Sequence, residues 1–136
     1  MLKVVLDTNV LLVAISSKSK YRPLFDAFLE EQYELCVTTE ILAEYEEVIG
    51  RHMGPVQAER VLQLIENAPN TKFITRYYKW HLIKADPDDN KFVDCAIAAG
   101  AQYLVTEDRH FDSLQHIDFP TVMVVRIDDF KTKIGK

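Results

Sequence analysis

Four acidic side chains occupy positions in this sequence where a carboxylate requires an explanation. Asp7 ends the apolar run KVVLD, and Asp108 ends the run QYLVTED about a hundred residues later. Asp94 lies inside the nearly all-apolar segment FVDCAIAAGA, and Glu44 borders an apolar stripe in EILAEYEEV. Carboxylates in such places cap helices, pair with cations or coordinate metal ions. These residues are therefore the first candidates for a functional site.

Asp94 is the candidate that is hardest to explain by structure alone. It is the only charged residue from Phe92 to Ala101, and a helix that is apolar on nearly every face is a buried helix. Burying an unpaired carboxylate costs roughly several kcal/mol, so such a group persists where it is paired or holds a metal ion. Lys91, three positions earlier, reaches Asp94 only at the edge of the helix. The sequence therefore predicts that Asp94 faces a functional site.

The other three carboxylates have structural explanations that the sequence leaves open. Asp7 and Asp108 can each cap a following helix by accepting hydrogen bonds from backbone N–H groups. Glu44 lies beside the apolar stripe, where it can also be a solvated flank residue. Glu40, one turn earlier, is explained by the favourable field of the helix N-terminus. Each of these residues is thus either a structural side chain or a ligand.

Two further groups of polar residues lie near these candidates. The segment DPDDN has the composition of a turn that begins a helix, and Asp89 or Asn90 can also reach the same cleft. The four histidines lack the spacing of metal ligands, which argues against zinc chemistry. They are His52, His81, His110 and His116.

Apolar runs and amphipathic stripes predict the elements that must position the candidates. Strands are predicted at residues 3–7, 34–37, 71–75, 103–106 and 121–125. Helices are predicted at residues 9–15, 21–31, from Thr38 or Thr39 to Gly50, and at 55–67, 92–101 and 108–113. This alternation predicts a single α/β domain over residues 1–136, a three-layer α/β/α sandwich with a mainly parallel central sheet. Ligands bind beyond the carboxyl ends of such strands, where Asp7 and Asp108 are expected.

Composition limits the class of protein. A chain of 136 residues with 48% hydrophobic and 27% charged residues is typical of a soluble globular protein. No apolar run has the length of a membrane helix, and the N-terminus does not read as a signal peptide. Cys36 and Cys95 form no paired motif, which favours a reducing, cytoplasmic setting. The net charge of −5 argues against nucleic-acid binding by simple electrostatics but is compatible with a nuclease whose acids are offset by cations.

Three segments of the sequence together resemble the PIN domain family. They are VVLDTNVLL, TTEILAEYEEV and DPDDNKFVDCAIAAGAQYLVTEDRHF, and the resemblance covers essentially the whole chain. The turn DPDDN is most similar to the branch described as toxin components of toxin–antitoxin systems. The resemblance implies that the family's acidic quartet corresponds to catalytic, metal-binding residues of this chain, with a polar residue and a threonine as supporting groups. These are Asp7, Glu44, Asp94 and Asp108, supported by Asn9 and Thr106.

The activity that this resemblance implies is hydrolysis of single-stranded RNA with Mg²⁺ or Mn²⁺. Hard divalent cations prefer oxygen ligands, and two of them about 3.5–4 Å apart can bracket a phosphodiester. Family analogy also implies RNA, a small antitoxin protein and a second copy of the chain as partners. Arg109, beside the site, is the expected substrate-binding residue. Further basic candidates for phosphate contacts are Lys18, Lys20, Arg22, Arg76, Lys79 and Lys84.

The aromatic residues of RYYKWH have two interpretations. Tyr77, Tyr78 and Trp80 can stack on RNA bases, but such a cluster is more often part of a core or a dimer contact. The sequence favours the second interpretation.

Two rival functions remain open at this stage. A phosphatase that uses Asp7 as a nucleophile usually has a second acid two residues later, where this chain has Asn9. A PIN-like module that binds RNA or a partner without cleavage would be marked by a missing acid, and all four positions are filled. Intact ligands permit activity without establishing it.

Overall fold

A wholly parallel sheet of five strands forms the centre of the protein. The computed structural model describes residues 1–75 and 78–136. The strand order is β3-β2-β1-β4-β5, and every neighbouring pair is parallel. This confirms the predicted three-layer α/β/α fold, with a sheet that is wholly rather than mainly parallel. The strands are β1 Lys3–Leu6, β2 Glu34–Val37, β3 Thr71–Phe73, β4 Tyr103–Val105 and β5 Val124–Val125.

Six α-helices are found in the part of the chain that the structure describes. They are α1 Thr8–Ile15, α2 Arg22–Leu29, α3 Thr39–Met53, α4 Pro55–Asn67, α5 Asn90–Ala99 and α6 Ile127–Lys133. Two further stretches, Pro87–Asp89 and Arg109–His116, are 3-10 helices. Helix α6 was not predicted, because it buries only two residues and its exposed side is charged. The sequence pattern is therefore too short there for an apolar stripe to be recognised.

Helix α3 begins where the sequence predicts and ends later. The Oγ1 atom of Thr38 accepts a hydrogen bond from the backbone N–H of Ile41 at 3.2 Å, which is an N-cap. Gly50 remains helical, and the helix ends instead at Met53, with Gly54 as its C-cap at a φ of 89°, in the region that favours glycine. Because the cap fixes the start of α3, it also fixes the side of the helix on which Glu44 projects.

The helices α3 and α5 both pack against the carboxyl end of β1. Helix α5 contacts β1, β2 and β4, and its residues Phe92 and Val93 are buried. The phenol of Tyr45 in α3 donates a buried hydrogen bond of 2.6 Å to the carbonyl oxygen of Leu6. These contacts bring residues from two helices to the point where Asp7 ends β1.

Two sequence-level expectations about composition can be compared with the structure. Cys36 and Cys95 are both buried and not disulfide-bonded, in agreement with the absence of a disulfide framework. Among the described residues, no helix is both long enough and apolar enough to cross a membrane.

Candidate metal centre

Asp7 and Asp108 meet where the order of the strands reverses. β1 and β4 are neighbours in the sheet, and the backbone N–H of Asp7 donates to the carbonyl of Val105 at 3.0 Å. The hydroxyl of Thr106 donates to Oδ2 of Asp7 at 2.7 Å and accepts from the backbone N–H of Asp108 at 3.0 Å. One buried hydroxyl thus connects the two aspartates. Ligands bind at such switch points in parallel sheets.

Asp7 has a perturbed carboxyl group. Burial is the largest cause that raises the pKa of Asp7, and the charges of Asp108 and Glu44 raise it further. Hydrogen bonds from the hydroxyl of Thr106 and from the backbone N–H of Thr8 oppose this rise by stabilising the carboxylate. Apart from this contact with Thr8, the Asp7 side chain forms no N-cap hydrogen bond to α1 among the described residues. A full N-cap is therefore not the reason for an acid at this position.

Asp108 combines a structural role with a place beside Asp7. Its Oδ1 atom accepts a hydrogen bond from the backbone N–H of His110 at 2.9 Å, which caps the following 3-10 helix. Glu107 is exposed, as predicted, and Arg109 is exposed at the start of that helix. The helix cap that the sequence left open for Asp108 is therefore present, and its role as a metal ligand remains a prediction. Arg109 remains a predicted phosphate contact.

Glu44 is held by two partners that connect it to the other acids. Thr8, the residue after Asp7, donates its hydroxyl to Oε2 of Glu44. The Nζ atom of Lys91 lies 2.5 Å from Oε1 of Glu44. Burial lowers the pKa of Lys91, but its bonds to Glu44 and to Asp88 outweigh burial and raise that pKa overall. Glu44 is thus bonded to Thr8, the residue after Asp7, and to Lys91, two positions after Asp89.

Glu40, one turn before Glu44, and Asn9, two residues after Asp7, are both exposed. Glu40 is exposed in the first turn of α3, so of the two glutamates Glu44 is the one that contacts the residue following Asp7. Asn9 is exposed in the first turn of α1, and its supporting role remains a prediction.

Asp94 is buried, with a side chain environment that differs from that of Asp7. The residue is 2% exposed, which confirms the burial predicted from the apolar helix. Its Oδ1 atom accepts a hydrogen bond from the backbone N–H of Trp80 at 3.1 Å. It lines a cavity together with Glu40, Asp88 and Lys91. Its role as a metal ligand remains a prediction.

Asp89 is the acid that the sequence left undecided, and the structure places it beside Asp7 and Asp108. It directly precedes α5 with helical backbone angles, and its side chain is 14% exposed. Burial, followed by the charges of Asp108, Asp86 and Asp7, raises the pKa of Asp89 to about 6. Asp94 follows Asp89 by five positions, which at about 100° per residue turns their side chains about 140° apart around the helix. The two carboxylates therefore project toward different sides of α5.

His110 is the side chain that sequence analysis missed. Its Nδ1 atom lies 3.4 Å from Oδ1 of Asp108 and 3.5 Å from Oδ2 of Asp89. Asp86, Asp89 and His110 each offer one ligand atom, all within 4.8 Å of one another. The spacing of the four histidines in the sequence argues only against a zinc site. The signal that could have been used is local, because His110 follows Asp108 by two residues.

The donor atoms in this region suit a hard divalent cation. We use the term acidic centre for Asp7, Glu44, Asp89 and Asp108, whose oxygen ligands are of the type that Mg²⁺ and Mn²⁺ prefer. The Oδ2 atom of Asp89 is buried, and its contact with Nδ1 of His110 at 3.5 Å is too long for a strong hydrogen bond. A cation would bind this oxygen and remove the mutual repulsion that, in addition to burial, raises the pKa values of Asp7 and Asp89.

The predicted substrate contacts outside the acidic centre differ in their environments. Arg22 donates to Asp26 and to the carbonyl of Ile15, each at 2.8 Å, so it has a structural role. Tyr78 is 63% exposed and stacks edge-on against Trp80 with ring centroids 4.6 Å apart. Tyr78 is therefore not part of the core, contrary to one favoured interpretation of the aromatic stretch. Arg76 and Tyr77 lie outside the described residues.

Comparisons with known proteins agree with this geometry. The family model described as PIN domain matches residues 3–110. Comparison with curated protein sequences finds no match.

Similar chains occur among solved structures. One, from VapBC2 of Rickettsia felis bound to a DNA fragment from their promoter, has 16% identity and a TM-score of 0.62, covering 92% of this chain and 98% of that chain. Another, from DNA-bound VapBC of Salmonella typhimurium, has 18% identity and a TM-score of 0.57, covering 93% and 99%. A third, from FitAB bound to an IR36 DNA fragment, has 14% identity and a TM-score of 0.59, covering 91% and 94%. At these identities the likeness shows a shared fold.

Proposed function

The chain belongs to the PIN domain family, and from this premise we propose that it is a divalent-metal-dependent endoribonuclease acting on single-stranded RNA. The observation that supports the proposal is the grouping of carboxylates at the switch point of the sheet, with Asp7 and Asp108 joined through Thr106. A hard cation is the ligand for which such oxygen donors are suited. The ion is Mg²⁺ or Mn²⁺.

The residues of the site divide into metal ligands and supporting groups. Asp7, Asp108 and Asp89 hold the ion, since Thr106 joins Asp7 to Asp108 and Nδ1 of His110 lies within 3.5 Å of an oxygen of both Asp108 and Asp89. The sequence assigns Asp94 to this set, and Asp94 and Asp89 are competing candidates for the ligand that α5 supplies. Thr106 fixes the orientation of the Asp7 carboxylate through its hydroxyl. Glu44, on α3, is a supporting group through its bonds to Thr8 and Lys91.

The reaction is direct hydrolysis of a phosphodiester. When bound, the divalent ion supplies activation of water and charge stabilisation at the phosphate. The protein's own residues position that ion, hold it with deprotonated carboxylates and contact the substrate. Arg109, exposed beside Asp108, binds a phosphate group of the RNA. No covalent intermediate with the enzyme is required, which separates this reaction from a phosphatase that would form an aspartyl-phosphate on Asp7.

Cleavage of a fluorescent single-stranded RNA tests the proposed function. Wild-type protein is expected to cut the RNA when Mn²⁺ is added and to stop when a chelator removes it. Asp7→Asn should reduce the rate at least about 100-fold, since it removes a ligand from the reacting ion. Asp129→Asn, at an exposed position of α6, is the matched control and should cut at the wild-type rate. A trapped phosphoryl group on Asp7 would instead support the phosphatase.

One observation favours a second candidate function, a module that binds RNA or a protein without cleavage. Both carboxylate oxygens of Glu44 are engaged by Thr8 and Lys91. If the protein binds single-stranded RNA but does not cut it at any Mn²⁺ concentration, this alternative replaces the nuclease.

The proposed biological role is that of the toxin in a toxin–antitoxin pair, with a small antitoxin and a second copy of the chain as partners. Its support is the resemblance of the DPDDN segment to toxin components and the shared fold of VapBC and FitAB chains. Expression of the wild type should arrest growth, whereas expression of Asp7→Asn should not. Co-expression of a small protein encoded beside the gene should relieve the arrest. Growth that is unaffected by the active wild type would contradict this role.

A further inference from the structure

A lysine is built into the acidic centre. The side chain of Lys91 is 13% exposed, and its Nζ atom lies 2.5 Å from Oε1 of Glu44. Its second acidic neighbour, Asp88, is 3.6 Å away and 82% exposed, so Glu44 is the dominant partner. The other oxygen of Glu44 accepts the hydroxyl of Thr8. The ammonium group therefore lies at the Glu44 carboxylate, which Thr8 connects to the chain next to Asp7.

Among the described residues, the pair of Lys91 and Glu44 is less exposed to water than two other ion pairs between a basic residue and a glutamate. Lys72 pairs with Glu34 at 3.1 Å with its side chain 47% exposed, and Arg51 pairs with Glu47 with side chains 62% and 70% exposed. Exposed pairs of that kind contribute little and are screened by water. Lys91 is largely removed from water and lies two positions after Asp89. Its charge therefore acts on Glu44 with little screening.

A fixed ammonium changes how many divalent ions the centre needs. Two divalent ions would neutralise four carboxylates, but Lys91 already neutralises Glu44. The remaining acids, Asp7, Asp89 and Asp108, carry a charge that one divalent ion offsets to within one unit. A second divalent ion at Glu44 would be repelled by the ammonium group 2.5 Å from Oε1.

We propose that Lys91 takes the place of one of the two divalent ions of two-ion phosphodiester hydrolysis, so that this protein binds a single divalent ion beside a fixed lysine. The inference rests on the metal dependence in the proposed function and specifies how that site is built. Lys91 acts as a positioning residue, since it holds Glu44 and excludes a cation from it.

The number of Mn²⁺ ions bound per chain, counted by calorimetry on RNA-free protein, tests this proposal. Wild type is expected to bind one ion, and Lys91→Met two. Lys91→Gln is measured in parallel in case the methionine variant does not fold, and it is also expected to bind two. Lys91→Arg keeps the charge and should bind one. Lys72→Met removes the matched pair with Glu34 and should also bind one.

The outcomes separate this inference from the proposed function. Two ions bound by the wild type, or one ion bound by folded variants that lack the Lys91 charge, would overturn the role of Lys91 and leave the nuclease intact. A change from one ion to two without RNA cleavage by the wild type would support the role of Lys91 while the proposed nuclease failed. If the wild type binds no Mn²⁺, both fail. The double variant Lys91→Met/Glu44→Gln should return to one ion, because the second site is built on Glu44.

Discussion

The neighbours of a carboxylate decide whether it is available to a cation. Asp89 has a buried oxygen whose contact with Nδ1 of His110 is 3.5 Å long, and the charges of Asp108 and Asp7 act on its carboxylate. Asp94 is more deeply buried, but one of its oxygens accepts the backbone N–H of Trp80. Because these two acids project about 140° apart around the helix, they cannot serve one ion equally. Burial by itself is therefore a poor guide to which of them is the ligand.

Paired substitutions distinguish Asp89 from Asp94. Asp89→Asn should weaken Mn²⁺ binding at least about 10-fold, because it removes a charged ligand that faces Asp7 and Asp108. Asp94→Asn should weaken it less than Asp89→Asn, because its carboxylate projects to the other side of the helix. Both affinities can be measured by calorimetry on RNA-free protein, with unfolding curves to show that each variant is folded. A larger loss in Asp94→Asn would restore the assignment made from the sequence.

The individual residues of the site could be predicted only in part from the sequence. The end positions of Asp7 and Asp108 follow from the apolar runs before them, and the burial of Asp94 follows from its helix. The pairing of Lys91 with Glu44 cannot be predicted from the sequence, because the two residues are 47 positions apart and belong to different helices. Nothing local in the sequence indicates that contact. It arises when α3 and α5 pack on the same strand.

At the scale of elements, the sequence predicts type and order better than length. β2 and α4 have the predicted limits, since Pro55 marks the start of α4 and polar residues mark its end. The last strand is shorter than predicted, Val124–Val125 rather than residues 121–125, and it lies at the edge of the sheet. An edge strand has one partner, so tertiary pairing rather than apolar composition sets its length.

The contact between α3 and β1 provides a prediction at this scale. Tyr45→Phe removes the buried hydrogen bond to the carbonyl of Leu6 and should lower the free energy of unfolding by about 1–2 kcal/mol. Urea denaturation measures this change. Tyr78→Phe, at an exposed ring, is the control and should be within about 0.5 kcal/mol of wild type. Equal stabilities for Tyr45→Phe and wild type would mean that the hydrogen bond is not important for holding α3 on the sheet.

For the whole molecule, the concentration of acids at one edge of the sheet links folding to metal binding. The net charge of −5 is compatible with a nuclease because part of it is gathered in the acidic centre. Carboxylates held close together oppose folding when they are ionised and have no cation. The same groups stabilise the folded state once a divalent ion binds there and not to the unfolded chain.

The pH dependence of stability follows from Asp89. Its pKa is raised from 3.8 to about 6 in the folded chain, so between these values the folded state binds more protons than the unfolded state. The free energy of unfolding of metal-free protein should therefore fall as the pH rises from about 4 to about 6, by about 1–2 kcal/mol from this residue after allowance for solvent. Asp89→Asn should flatten this dependence in urea denaturation curves.

At pH 7, Mn²⁺ at about 100 times its Kd should raise the free energy of unfolding of the wild type by about 2.7 kcal/mol. A wild type that is equally stable at pH 4.5 and pH 7, with or without Mn²⁺, would exclude a coupled acidic centre.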